Sequence, residues 1–179
     1  MAWTAPLTAV ANATLTAAQW NASVRDNFLL TAPALATTSG AYMAVSGTNT
    51  IAQRIPQTGT VITQESSTNT AFVDLTTVGP QVTVTSGATA LISIHSRLSN
   101  ATAVSSTRAG YVISGATTIA ADADRASGFR SSDAGQLVNL SAVFLQTGLT
   151  NGSNTFKEVY KVDAGTGSWS SRTISVLPY

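Results

Sequence analysis

A chain of 179 residues with net charge +1, its nine basic and eight acidic side chains scattered without a run of either sign, lacks the electrostatic footprint of a nucleic-acid or anionic-membrane binder. Charged residues make up only 9% against a typical value of about 25%, and hydrophobic ones 44%, so much of the surface falls to Ser, Thr, Ala, Gly and Asn. Cysteine is absent, which excludes disulfides and thiolate metal sites, and no segment approaches the roughly twenty apolar residues of a membrane span. The first residues show neither the basic start nor the apolar core of a secretory signal, so synthesis in the cytoplasm is expected.

The first element, in residues 1–33, reads as an arm carrying one short amphipathic helix. Thr16-Ala17-Ala18-Gln19 fits a capping box, flanked by Leu15 and Trp20 as a hydrophobic staple. Trp20, Val24 and Phe28 then recur at four-residue steps, with the polar Gln19, Asn21, Arg25 and Asp26 largely elsewhere on the wheel. Pro6 precedes the helix and Thr31-Ala32-Pro33 is expected to end it. A lone short helix is marginal in water, and Trp3 adds a large aromatic to a segment too small for its own core. Its stripe therefore needs a surface: this protein's own body, another copy, or a different partner. Residues 34–60 come next as a Thr/Ser/Gly-rich linker with short extended runs at 42–45 and 51–55.

From residue 61 to 179 strand signals arrive at the spacing of a sandwich or barrel, over 61–64, 71–75, 81–85, 90–98, 110–114, 137–146, 155–162 and 173–177. Alternation is clearest over 90–98, where Ala90, Ile92, Ile94, Ser96 and Leu98 share the face expected to be core. Val138, Leu140, Ala142 and Phe144 form a second row, and Phe156, Tyr160 and Val162 a third. Asn151-Gly152 is a hairpin signal, because both residues tolerate positive φ, and 163–167 reads as a second turn. Short antiparallel strands without βαβ spacing predict a mainly β fold, an antiparallel jelly-roll-like β-sandwich, with another Greek-key sandwich or an open barrel as alternatives.

Catalytic signals are sparse. The single histidine, His95, falls on the outward face of its strand beside Arg97. Asp122, Asp124 and Asp133 offer oxygen ligands without the remaining ligands of a calcium loop, and with Arg125 and Arg130 they read as a polar loop. Asn-X-Ser/Thr sequons at Asn12, Asn21, Asn100, Asn139 and Asn151 arise readily in so Thr- and Ser-rich a chain. No nucleophile elbow, phosphate loop or zinc spacing is present, so neither a catalytic residue, a cofactor nor a bound metal is expected.

The arm, with Trp3 and Pro6 followed by Leu15-Thr16-Ala17-Ala18-Gln19-Trp20-Asn21 and Val24-Arg25-Asp26-Asn27, resembles the N-terminal segment of tailed-bacteriophage virion proteins. The body is similar to the Thr-rich β domains of those proteins through Val73-Asp74-Leu75, Gly79-Pro80, Val112 to Ala116 and Gly152 to Phe156; Trp20 departs from the smaller aliphatic residue expected there. The resemblance implies a virion structural protein rather than an enzyme. A capsid decoration or head-fibre protein comes first, a homotrimer held on the major capsid protein through Trp3, Pro6, Leu15, Trp20, Val24, Arg25 and Phe28. The alternative is a minor tail or tail-fibre component that meets tail proteins and a host-surface glycan, with Trp169 and Phe129 as candidate sugar contacts. A glycan-cleaving or proteolytic enzyme, drawing on Asp122 and Asp124, is the remaining reading.

Overall fold

The computed structural model describes residues 5, 7, 8 and 10–179, apart from the side chains of residues 32 and 33. The chain is mainly β, and it divides into two compact units, Met1–Ile55 and Pro56–Tyr179.

In the first unit the helix starts where its cap places it. The Thr16 hydroxyl accepts from the Gln19 N–H at 3.2 Å, and the Gln19 side chain accepts from the Thr16 N–H at 3.0 Å, which closes the capping box. α1 (Ala17–Trp20) then widens into a π-helical turn (Asn21–Arg25) before α2 (Asp26–Phe28). Pro33 does not end this helix; it lies in the first turn of a further short helix, α3 (Ala32–Leu35), where proline's missing N–H has no intrahelical acceptor to lose. The stretch expected as a linker holds an antiparallel hairpin, β1 (Tyr42–Gly47) with β2 (Thr50–Arg54), turning at Asn49 with φ of 55°.

The second unit is a sandwich of two antiparallel sheets. One sheet runs β3 (Gln57–Val61), β11 (Gly167–Pro178), β6 (Thr89–Asn100), β9 (Leu137–Thr147), with the short β4 (Glu65–Ser67) also paired to β11. The other runs β5 (Gln81–Ser86), β10 (Gly152–Val162), β7 (Ser106–Gly115), β8 (Ala126–Arg130). From β5 onward the chain changes sheet at every step except β7 to β8, so each sheet interleaves early and late strands. This interleaving is the double Greek key of a jelly roll.

Four further expectations are corrected. Asn151-Gly152 does not make a hairpin, because β9 and β10 belong to different sheets and the turn carries the chain between them. The strand expected over 61–64 is displaced, since β3 ends at Val61 and 62–64 is the gap before β4, and 71–75 contributes only an isolated bridge of Val73 to Tyr160. Ala126–Arg130, read as a polar loop, is the edge strand β8.

Apolar side chains from both sheets meet in two clusters. Val82, Ile92, Ile94, Ile113, Phe156 and Ile174 fill one end; Leu98, Ala109, Tyr160, Val162 and Trp169 fill the other. Between them lie Ser96, Glu158 and Arg172, all buried, one from each of β6, β10 and β11. Arg172 turns inward because of a bulge: Ser171 takes φ of 49°, and two residues of β11 oppose one of β6 between the Ser170–Arg97 and Thr173–His95 pairs.

Candidate functional site

Trp3 and Pro6 lie outside the described residues. Among the arm's other residues, Leu15, Trp20 and Val24 line a groove of about 440 Å³ with Leu7 and Val10, and the Leu7 N–H is held by the Ser23 hydroxyl at 3.1 Å. Trp20 remains 55% exposed and Phe28 67% exposed. Phe28 leaves the groove because the π-turn inserts one residue into the helical count, which rotates the residues after it by about 100°. Arg25 points to solvent and forms an ion pair with Asp26 at 2.7 Å. The arm thus presents bare apolar surface, with Leu15, Trp20, Phe28 and Leu29 all more than half exposed.

The outer faces of the sandwich are built mostly from hydroxyls. On the β3–β11–β6–β9 sheet, Thr58 meets Ser175 at 2.9 Å, Thr60 meets Thr173 at 3.1 Å, and His95 Nδ1 meets the Ser141 hydroxyl at 2.9 Å. Cross-strand pairing ties these hydroxyls to one another, so a face poor in charge also offers few free polar groups. At its edge, β9 carries no charged residue and exposes Leu137, Val143 and Leu145, and Leu145 lies beside the half-buried Leu91, itself opposite Leu177. Long apolar edges of this kind are templates for pairing with another chain.

Sequence reasoning missed the layer between the two core clusters. Ser96 donates to Glu158, and burial pushes the Glu158 carboxyl up to about 8 despite that bond and the nearby Arg172 charge. Arg172 donates to the carbonyls of Gly79 at 3.2 Å, Thr77 at 3.4 Å and Thr63 at 3.4 Å, lies 3.8 Å from the Glu65 carboxylate, and sits over the Tyr160 ring. The Thr77 hydroxyl, with the Thr77 N–H and the Arg172 charge behind it, holds Glu65 below the ordinary carboxylate range. Ser96, Glu158 and Arg172 are sealed from solvent, out of a substrate's reach, and the Ser96–Glu158 bond links the two sheets. No sequence pattern announces this layer, because alternation along β11 breaks at the bulge.

The remaining candidates have structural surroundings. Asp122 caps a 3₁₀ turn (Ala123–Arg125) by accepting from the Asp124 N–H at 3.0 Å, and Asp133 accepts from the Ser132 hydroxyl at 3.0 Å. Among the described residues, no three His, Cys, Asp or Glu side chains gather to hold a metal. Trp169 is fully buried against Tyr160, which removes it as a sugar contact, and Phe129 of the edge strand β8 packs half-buried against the same core cluster.

Strand order and packing define the class: a jelly-roll β domain with a separate helix-and-hairpin unit ahead of it. No protein-family model matches the chain, and no curated protein matches it in sequence. Among solved structures it is similar to that of infectious bursal disease virus, Gx strain, at 15% identity and a TM-score of 0.46, over 76% of this chain and 36% of that one. The chain therefore spans little more than a third of the length of that neighbour.

Proposed function

We propose that this is a virion structural protein of a tailed bacteriophage, a capsid decoration or head-fibre protein fastened to the major capsid protein through its N-terminal arm while the jelly roll projects outward. The observation that carries this reading is the arm itself: a capped helix of about three turns whose Trp20 and Phe28 stay exposed, on a chain whose charge is too sparse to keep such a surface soluble alone. The likeness of the arm and of four body segments to phage virion proteins supports the same assignment. The role is structural and adhesive rather than catalytic, and it takes no cofactor.

In this reading the uncharged β9 edge and the Leu91, Leu145 and Leu177 row are covered in a closed homotrimer, since cyclic association removes an exposed edge without leaving a new one. Deleting residues 1–30 tests the anchor directly. Occupancy on purified heads is expected to collapse while the body keeps its β circular dichroism. Unchanged occupancy excludes attachment through the arm. A second reading, a minor tail or tail-fibre component, draws support from the depression on the β5–β10–β7–β8 sheet that Arg108 and Arg130 line together with Asp163; immunogold labelling of whole particles separates head from tail.

A further inference from the structure

The outer face of the β5–β10–β7–β8 sheet holds a depression of about 380 Å³ lined by Ser106 and Arg108 of β7, Gly128, Phe129 and Arg130 of β8, and Asp163 just past β10. Strand alternation aims Ser106, Arg108, Gly128 and Arg130 outward, because Thr107, Ala109 and Ser127 are the buried neighbours between them. Ser106 stands directly opposite Arg130, and Arg108 opposite Gly128. The glycine is what lets the arginine lie across the strand: a Cβ at residue 128 would fall 2.7 Å from Arg108 Cγ and 2.9 Å from the Thr107 carbonyl oxygen.

The two guanidinium groups are left without counter-charges. Neither Arg108 nor Arg130 forms an ion pair among the described residues. Arg130 donates its Nε–H to the Val104 carbonyl at 3.3 Å, while the buried Nε of Arg108 has no partner at all. The neighbouring cation, Lys161, lies 3.7 Å from Asp163 at the edge of the depression and 5.7 Å from the centroid of the Phe72 ring. A buried donor without an acceptor is uncommon in folded proteins, and a depression lined by two guanidinium groups without counter-charges suits a carboxylate.

We propose that this depression binds a carboxylated sugar of the uronic-acid type. Arg108 and Arg130 take the carboxylate, and Ser106 and Asp163 take ring hydroxyls. Asp163 sets the choice of anion. Its charge at the rim tolerates a monoanion that brings hydroxyls with it and repels a phosphate dianion. The volume falls at the small end of ligand sites, suited to one or two sugar rings. The site lies wholly within the body, so it stands whether or not the arm is an anchor.

Amide chemical-shift titration of the full chain with glucuronate, glucose and glucose 6-phosphate tests this. Glucuronate is expected to move the amides of Ser106, Gly128 and Arg130 and to bind about ten-fold tighter than glucose, as one charge-assisted pair predicts. Arg108→Gln and, separately, the more exposed Arg130→Gln should each remove that preference with the melting temperature unchanged, whereas Arg97→Gln on the other sheet should not. Asp163→Asn should raise affinity for glucose 6-phosphate. Equal binding of glucose, shifts confined to another surface, retained preference in both arginine variants, no gain of phosphate binding in Asp163→Asn, or tighter binding of a short polyglutamate peptide overturns the assignment.

Discussion

At the scale of single residues, Glu158 governs how the body responds to pH. In an unfolded chain this carboxyl ionises near its ordinary 4.5; in the fold it keeps its proton up to about 8. Across that window folding must take up a proton, so stability falls as pH rises and levels off above it. Glu65 acts on the acid side. Its folded value lies below 4.5, so its contribution is present above 4.5 and is lost as pH falls through the folded value. The melting temperature of the body should therefore peak at mildly acid pH, near 4.5. Glu158→Gln retains an oxygen for the Ser96 hydroxyl and removes the titration, so thermal melts should lose their decline between 4.5 and about 8. A decline of the same size in the variant would refute this origin.

Asn154 shows how a polar residue inside a strand performs a structural task. It is fully buried and accepts from the Thr117 N–H at 2.8 Å while donating to the Ser86 hydroxyl at 2.9 Å and the Thr150 carbonyl at 3.0 Å. Gly115, in the neighbouring segment, takes φ of 109°, and a Cβ there would lie 2.4 Å from the Ser153 carbonyl oxygen. These two segments pin the ends of β7 and β10 together.

At the scale of elements, the bulge in β11 decides which side of the sheet Arg172 occupies. Ser171 incurs a conformational penalty for its left-handed backbone, of about 1–2 kcal/mol for a residue with a side chain. Ser171→Gly should raise stability by up to about 1 kcal/mol, and Ser171→Ile should lower it by at least that much, read from urea unfolding. Deleting Ser171 is the harsher test. It puts Arg172 on the solvent face, leaves Glu158 without its neighbouring charge, and should cost more than either substitution.

Legibility in the sequence obeyed the same division. β6 was readable because Ala90, Ile92, Ile94, Ser96 and Leu98 alternate without interruption, and the helix start was readable because Thr16 and Gln19 satisfy backbone groups locally. β8 was not, since Ser127 is its buried inward residue and Gly128 and Arg130 its outward ones, leaving Phe129 as the one large apolar signal. Asn151-Gly152 predicted a turn correctly and a hairpin wrongly, because local turn chemistry carries no information about which sheet receives the next strand. The depression around Arg108 was invisible for a related reason: Ser106, Arg130 and Asp163 meet only through strand pairing.

At the scale of the whole molecule, the arm and the β9 edge both expose apolar side chains, and each has its own measurement. Replacing Val143 and Leu145 with Lys charges the β9 edge, and sedimentation should then show a lower mass than the parent chain if that edge closes an assembly. Under the proposed anchoring, Trp20→Ala should weaken attachment to heads without changing that mass, because the arm and the body are separate units.

The position of β11 also constrains how the molecule comes into being. It is the last of the body's strands in chain order, yet it lies between β3 and β6 in the middle of its sheet. Until it is delivered by the ribosome, β3 has no partner and the cavity between the layers stays open. A prematurely terminated copy therefore cannot close, and its apolar layer stays open to proteolysis.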